Sequence, residues 1–157
     1  MLSLKPLIAL LAAKPADFNG HWFRKLGGAA EYAQLRGEKL PLPMAWVVRF
    51  SDPATPVGFA AADVVIAFDV VIAVENVRTR DSGETDDMLL AYRKAVEVLL
   101  LGHQPDGAIK PIEWLGGAVV DYTDGELYYR DRYQLSAVVT NYLPDPVINV
   151  GLTLHPT

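Results

Sequence analysis

Residues 60–77 read AAADVVIAFDVVIAVENV, and this stretch decides the fold. Its even positions are apolar from 62 to 74, whereas its odd positions include the acids Asp63, Asp69 and Glu75. An alternation with a period of two places successive side chains on opposite faces of a β-strand. Sixteen or so residues at ~3.3 Å each reach roughly 50 Å, whereas a compact domain of this size has a radius of gyration of about 15 Å. The stretch therefore predicts one long strand that either bends at a bulge or projects beyond the body.

The residues before this strand predict its partner. Met44, Trp46, Val48 and Phe50 alternate with other side chains, which indicates a strand over residues 42–50. Residues 51–58 contain two prolines and a glycine, which are typical of a connecting loop. The two strands are therefore expected to form a first long antiparallel hairpin.

An amphipathic helix is expected after the long strand. Residues 80–87 form a polar turn that can cap a helix, and the helix is predicted from Met88 to Leu101, with Gly102 as its stop. Its apolar side comprises Met88, Tyr92, Ala95, Val96, Leu99 and Leu100. Arg93, Lys94 and Glu97 are expected on the other, polar side.

A second hairpin is predicted in the last third of the chain. Residues 112–122 alternate, and Thr123-Asp124-Gly125-Glu126 then supplies an Asp-Gly turn before a return strand over residues 127–139. Asp131 interrupts the apolar face of that return strand. The doublet Gly116-Gly117 predicts a bulge or a close approach of two backbones within the strand.

The two ends of the chain are less regular. Leu4, Leu7, Ile8 and Leu11 share a helical face, which predicts a short N-terminal core helix. A short strand at residues 21–23 and a turn or two of helix within 28–33 are also expected, and residues 144–157 are predicted to form an edge strand or an arm. The expected fold class is α+β: an antiparallel or mixed sheet of two long hairpins, a central amphipathic helix, and an N-terminal helix packed on it. We expect residues 1–157 to form one domain.

Composition narrows the class of protein. Of 157 residues, 51% are hydrophobic and 21% are charged, which is typical of a folded domain and not of a disordered chain. The net charge of -5 argues against a general binder of the phosphate backbone, which needs a basic stripe. The sequence has no cysteine, which fits a reducing compartment. No membrane span is expected, because the longest apolar run, residues 59–77, carries three acids. No signal peptide is expected either, because the apolar residues 1–13 have only Lys5 near their start and contain Pro6.

The sequence contains no recognisable constellation for chemistry. His21, His103 and His155 lie far apart and lack the spacing of metal ligands. The serines lie in no nucleophile elbow, and the glycine doublets match neither a phosphate loop nor a dinucleotide fingerprint. We therefore expect no catalytic residue, no metal, no cofactor and no enzyme activity.

The charged residues leave two interpretations open. Asp63, Asp69 and Glu75 are six residues apart, or about 20 Å along a strand, which is too far for a pair of catalytic carboxylates. They form either a solvated face or the negatively charged wall of a pore built by repeating the subunit around a ring. Four arginines are either solvated or paired with the acids of a neighbouring subunit: Arg78, Arg80, Arg130 and Arg132.

A family resemblance covers roughly residues 1–143. It rests on the segments LPMAWVV (42–48), VENVR (74–78), LLLGH (99–103), WLGG (114–117) and LYYRDRY (127–133). In these segments the chain resembles the tail terminator proteins of tailed bacteriophages. The matching motifs are structural ones and carry no catalytic residue across.

The resemblance implies a virion protein, assembled in the bacterial host cytoplasm, that forms a homo-hexameric ring on the head-proximal end of the tail tube. Such a ring stops polymerisation of the tube protein and offers a docking surface to the head-tail connector. DNA would touch it only by passing through the lumen, and no membrane is involved. The loops at residues 51–58 and 103–110 are then expected to touch the tube or the connector.

Two alternatives remain open from the sequence. One is another ring of the neck or tail, such as a head-tail connector or a tube subunit. The other, from a different class, is a small host protein that binds a ligand or acts as an enzyme.

Overall fold

The structure, a computed structural model, describes residues 2–33, 41–76, 82–123 and 125–141. Arg78, Arg80 and the predicted arm at residues 144–157 therefore lie outside the described residues. The helices and strands occur in this order: α1 (Lys5–Leu11), β1 (Lys25–Gly27), α2 (Ala29–Ala33), β2 (Met44–Ser51), β3 (Ala54–Val57), β4 (Ala61–Glu75), α3 (Ser82–Leu100), β5 (Glu113–Tyr122) and β6 (Glu126–Thr140).

The strands form one mixed six-stranded sheet in the order β1-β2-β4-β6-β5, with β3 beside the first half of β4. Strand β1 is parallel to β2, and the other pairs are antiparallel. Strands β4 and β6 pair along the full length of β4, from Ala61 opposite Thr140 to Glu75 opposite Glu126. The α+β class with a mixed sheet is thereby confirmed. The arrangement as two hairpins on either side of the helix is not, because β4 and β6 are neighbours inside a single sheet.

The predicted loop at residues 51–58 contains strand β3, so this part of the prediction was wrong. Pro56 lies in β3 opposite Ala62, and all residues of β3 are exposed. A proline is tolerated there because an edge strand does not need every N–H group for pairing. The register of β2 against β4 shifts between Arg49 and Ser51, and after residues 52–53 strand β3 continues the pairing, so the two shorter strands together accompany the long strand β4.

One face of the sheet, here called the helix face, holds the main core. It carries the even-numbered side chains of β4 from Val64 to Val74, as the alternation predicted. These pack with α1 through Leu7 and Leu11, and with α3 through the buried residues Leu89, Tyr92, Ala95, Val96 and Leu100. Burial of this apolar surface is the dominant stabilising contribution to the fold.

The opposite face, which carries Asp63 and Asp69 and is here called the second face, is buried over part of its area. Trp46 and Ala73 are fully buried there, together with Met44 and Val71. The Trp46 ring centroid lies 5.3 Å from that of Tyr32 in α2 and 6.2 Å from that of Tyr128 in β6. Strand β4 is therefore covered on both faces in its second half, which the alternation of charged and apolar residues did not predict.

The remaining elements differ in detail from the expectations. Helix α3 begins at Ser82, six residues before the predicted start, and residues 21–23 form no strand, whereas Lys25–Gly27 do. The short helices near the N-terminus are confirmed as Lys5–Leu11 and Ala29–Ala33. In the part of the chain that the structure describes, no helix is long and apolar enough to cross a membrane.

Candidate functional site

The three predicted lumen-facing acids do not share one environment. Asp63 and Glu75 are exposed near opposite ends of β4, whereas Asp69 in the middle is only 9% exposed. In the sheet, Asp63 lies opposite Val138 and Glu75 lies opposite Glu126. The second face therefore carries exposed acids near its two ends and a largely buried acid at its centre.

The centre of the second face is an ion pair. Arg132 donates from Nε to Asp69 Oδ1 at 2.8 Å and from its terminal nitrogen to Oδ2 at 3.0 Å. The hydrogen bonds with Asp69 raise the pKa of the Arg132 guanidinium. Arg130 adds a second cation, 3.9 Å from Asp69 Oδ1. Since two arginines surround one carboxylate, the centre of this face is not an unpaired negative wall.

Phe50 covers the paired guanidinium from outside. The central carbon of Arg132 lies 3.4 Å from the centroid of the Phe50 ring, and Phe50 itself is 56% exposed. A guanidinium over an aromatic ring is held by the negative ring face and by dispersion. Of the four arginines predicted to contact a neighbour, Arg132 thus has partners within its own chain. Arg130 keeps a side chain that is 33% exposed.

A second charged cluster lies on the helix face, where sequence reasoning placed none. Asp131 is 2% exposed and accepts hydrogen bonds from Arg93 Nε and its terminal nitrogen, both at 2.9 Å. Trp114 Nε1 donates to the same carboxylate at 3.1 Å. The bond with Asp131 raises the pKa of Arg93, whose guanidinium lies 4.2 Å from the centroid of the Tyr129 ring.

The placement of Arg93 corrects the prediction that it lies on the polar side of the helix. Its guanidinium reaches down to the sheet and ties α3 to β6. The available signal was Asp131 itself, because a lone acid within an apolar face is buried and therefore needs a cation or several donors. The sequence did not indicate which cation that would be.

The doublet Gly116-Gly117 has the predicted structural role. The register shifts between Trp114 and Gly116, and Gly116 has a φ of 110°. A Cβ atom on Gly117 would lie 2.3 Å from Asp131 Oδ1 and 2.7 Å from Tyr129 Cε1. The glycine therefore leaves the space into which the Asp131 carboxylate fits.

One of the cavities on the described surface has several polar groups at its wall. It measures about 330 Å³ and lies between residues 18–24 and α3, and His21, Arg24 and Glu75 line it among apolar side chains. Tyr92, also in the wall, donates its hydroxyl to the His21 carbonyl. Among the residues that the structure describes, no three His, Asp or Glu side chains are grouped closely enough to hold a metal ion.

Exposed apolar side chains lie on the sheet edges and in a turn, as well as on α3 and in the loop at residues 103–110. Phe59 is fully exposed in the turn between β3 and β4, next to Gly58 with a φ of 71°. Four exposed apolar side chains lie on the edge strand β5: Trp114, Leu115, Val119 and Val120. Surfaces of this kind mark contacts with other proteins more often than small-molecule sites.

The predicted contact loop at residues 103–110 is ordered by the sheet beside it. Ala108 forms an isolated bridge with Ala137, and the Ile109 N–H donates to the Ser136 carbonyl at 2.8 Å. The Ile109 side chain is 53% exposed. The loop thus presents an apolar side chain from a fixed backbone, and its contact with the tube or the connector stays a prediction.

Comparison with known proteins places this arrangement in a family. No curated protein matches the chain. The family model for the phage tail terminator protein matches residues 2–142, which includes every described helix and strand. This agrees with the resemblance in the strand and turn motifs. The chain belongs to the phage tail terminator family.

Proposed function

We propose that this protein forms a ring, most simply a homo-hexamer, on the head-proximal end of the phage tail tube. There it stops addition of the tube protein and presents the surface to which the head-tail connector docks. The observation that carries the proposal is the family match over residues 2–142, which supports a structural component of the virion tail and a non-enzymatic role. The exposed apolar edge of β5 and the exposed Phe59 support contacts with other subunits.

Deletion of the gene in the phage tests the terminator role. We expect tails of uncontrolled length that do not join heads, and electron microscopy of lysates measures both properties. A complete absence of tubes would instead assign the chain to the tube, and tails of normal length without heads would assign it to the connector. Complementation with the full chain should restore both length and head joining.

The size of the purified protein tests ring formation. Light scattering and negative-stain microscopy, with and without purified tail tubes, should give particles of six subunits or rings at one end of the tube. A chain that stays monomeric under both conditions and binds a metabolite would support the alternative of a small ligand-binding protein or enzyme.

The proposed lumen-facing role of the acids is tested separately for the two exposed acids and for the paired Asp69. We propose that Asp63 and Glu75, which are exposed, repel the phosphates of passing DNA. Asp63→Lys and Glu75→Lys should slow DNA ejection without loss of folding, because exposed substitutions usually change stability by about 0.5 kcal/mol or less. Asp17→Lys is the matched control, since Asp17 is an exposed acid in a different segment. Normal ejection from the Asp63 and Glu75 variants would argue against the proposal.

Asp69 requires a different substitution. A lysine at this position would stand beside Arg130 and Arg132 and would destabilise the sheet itself. Asp69→Asn with Arg132→Gln removes the two opposite charges together and leaves groups that can hydrogen bond. Ejection that is unchanged in this double variant would assign the ion pair to the stability of the subunit and not to the lumen.

The proposed inter-subunit role rests most directly on Arg130. Its side chain is partly exposed, and its contact with Asp69 is longer than that of Arg132. We expect Arg130→Glu to weaken self-association, most clearly at low salt, because exposed charge pairs are screened. Arg24→Glu is the control, because Arg24 is also exposed but lines the cavity beside α3. Equal effects of the two substitutions would contradict a specific contact.

A further inference from the structure

The sheet ends in an edge strand that is open to solvent. Strand β5 is the last in the sheet order, so one side of its backbone has no partner strand among the described residues. Residues 114–120 contain no charge, and Trp114, Leu115, Val119 and Val120 are between 42% and 53% exposed. Proteins usually protect an edge with charged side chains because an unprotected edge accepts another strand.

The shape of this edge limits what it can accept. Register shifts flank Gly116 and Val119, so the regular pairing between them covers only residues 116–119. An added strand would gain few backbone hydrogen bonds there and would depend on side-chain contacts with the exposed apolar residues. The occupant should therefore be a short strand with large apolar side chains on one face.

The last residues of this chain have that pattern. Residues 144–157 read PDPVINVGLTLHPT, in which Ile148, Val150, Leu152 and Leu154 alternate with small or polar residues. The segment from 147 to 154 is uncharged and lies between prolines. Such a run predicts a strand. It also lies beyond residue 142, where the family match ends, so it is a property of this chain and not of the matched region.

The position at which the described chain ends favours pairing of residues 147–154 with β5 of another copy over pairing with β5 of the same chain. The Asn141 N–H donates to the Ala60 carbonyl at 2.9 Å, so the chain leaves the sheet beside the turn between β3 and β4. Strand β5 begins opposite Gln134, seven residues back along β6 from Asn141, or roughly 23 Å. From Asn141 to Ile148 the chain also advances seven residues, which span at most about 23–25 Å when fully extended. The path must in addition reverse direction and cross sideways over the sheet by two strand spacings, roughly 10 Å. The linker is therefore too short to bring Ile148 to the start of β5 in its own chain.

Exposed apolar side chains lie at this same end of the sheet, as is expected of a contact surface. Phe59 is fully exposed, Val57 is 47% exposed, and Val138 is 43% exposed. All three lie near the point where the chain leaves the sheet, because Ala61 is paired with Thr140. A neighbouring copy at this end would cover these side chains and would also present its β5 to the departing segment.

We propose that residues 147–154 of one subunit add as a strand to β5 of the next subunit. The two partners are different surfaces of the same chain, so the contact is heterologous, and its repetition around an axis closes a ring. The choice of a second copy as partner rests on the proposed self-assembly. The strand addition explains why an uncharged apolar edge and an uncharged apolar tail occur in one sequence.

The absence of cysteine allows a direct test of this contact. One preparation carries Val119→Cys, and a second carries Ile148→Cys, Val150→Cys or Leu152→Cys. The two are mixed under assembly conditions with tail tubes and oxidised. We expect a disulfide-linked dimer on a non-reducing gel for at least one pair, because a disulfide needs Cα atoms within about 4.4–6.8 Å. Val98→Cys, which is 67% exposed on α3, replaces Val119→Cys in the control and should give no such dimer.

Two results would overturn the proposal. The first is the absence of a specific dimer for all three tail positions. The second is a chain carrying both cysteines that closes the disulfide within itself and migrates as a monomer, since that would place the tail on its own sheet.

A substitution in the full chain tests the consequence for assembly. Leu152→Asp should weaken self-association roughly tenfold or more, because it puts a charge on the apolar face of the added strand. Thr153→Asp on the other face is the matched control and should assemble normally. Rings from the Leu152→Asp chain with unchanged affinity would overturn strand addition but leave the ring intact. A wild-type chain that forms no ring even with tail tubes would overturn the proposed function and this inference with it.

Discussion

The hydroxyl of Tyr133 lies in the core. The side chain is fully buried, its ring centroid is 5.8 Å from that of Phe68, and its hydroxyl has no hydrogen-bond partner among the described residues. A buried polar group without a partner costs about 1–3 kcal/mol. Tyr133→Phe is therefore expected to keep or raise the free energy of unfolding at neutral pH, by about 1 kcal/mol, as measured by urea denaturation.

Tyr92 provides the matched control for that change. It is also buried, but its hydroxyl donates to the His21 carbonyl. Tyr92→Phe should lower the free energy of unfolding by about 1 kcal/mol, because the carbonyl loses its donor. Equal losses in the two variants would show that the Tyr133 hydroxyl has a stabilising partner.

Gly117 is the second residue whose identity is dictated by its surroundings. A methyl group there would clash with Asp131 Oδ1 at 2.3 Å and with the Arg130 carbonyl at 3.0 Å. We expect Gly117→Ala to lower the free energy of unfolding by about 1–3 kcal/mol. Gly125→Ala, with no atom within 4 Å of the added carbon, should change it by about 0.5 kcal/mol or less. Thermal or urea denaturation of the pair decides the point.

Residue-level features were partly predictable. The glycine doublet was correctly interpreted as a bulge with a close approach, because consecutive glycines inside a strand have few other structural reasons. The acid at 131 was visible as an exception in an apolar face, but its partner Arg93 was not, since the two are 38 residues apart. Asp69 was placed on the correct face of β4, but its pairing with Arg132 depends on a register that the sequence does not specify.

At the scale of the element, α3 is attached to the sheet by one polar contact as well as by its apolar side. Arg93 and Asp131 form that contact, and the Arg93 side chain is only 18% exposed. Asp131→Ala should lower the free energy of unfolding by about 3 kcal/mol, because it leaves a partly buried cation without its carboxylate. Adding Arg93→Met should recover part of that loss, and urea denaturation of the two single variants and the double variant measures the coupling.

Lys94→Met on the same helix is the control for the arginine substitution. Lys94 is exposed, so its replacement should have little effect on stability. Strict additivity of the Arg93 and Asp131 variants would contradict the contact.

A strand was predicted well where only one of its faces is buried, and less well where both faces are buried. The even positions of β4 gave the core correctly because they are uniformly apolar. Burial of Val71 and Ala73 on the other face depends on Trp46 and Tyr128, which come from distant segments. Strand β3 was not predicted because Pro56 is typical of a loop. A strand can contain this proline only because β3 lies at an edge of the sheet.

At the scale of the whole molecule, the buried tyrosines predict alkaline unfolding. Burial raises the pKa of Tyr92 and of Tyr133 above the ordinary value of 10.0. Below that pH both the folded and the unfolded chains keep these protons, so their contribution to stability is constant. Above it the unfolded chain releases protons that the folded chain retains, and stability falls by up to about 1.4 kcal/mol per pH unit for each tyrosine.

The measurement is the urea midpoint from neutral pH to about pH 11. Tyr133→Phe should make the decline above pH 10.0 shallower, since one of the tyrosines with a raised pKa no longer titrates. An unchanged slope in this variant would contradict the assignment of the decline to Tyr133.

The assembly surface was less predictable than the fold. The family resemblance came from structural motifs, and the match over residues 2–142 supports it. The acids and arginines were chosen by charge alone, and charge does not distinguish a side chain that meets a neighbour from one, such as Arg132, that is paired within its own chain.

The pairing of β4 with β6 has a consequence for biosynthesis. The paired residues are 51 positions apart at one end, Glu75 with Glu126, and 79 apart at the other, Ala61 with Thr140. At about 5–20 residues per second, roughly 3–16 s pass between the synthesis of residues in β4 and the synthesis of their partners in β6. During that interval an apolar strand with no Pro is free to aggregate with other nascent chains. A lower level of expression, which reduces the number of nascent chains present together, or more abundant chaperone, should therefore increase the soluble yield. The strand that organises the finished sheet thus needs protection while the chain is being made.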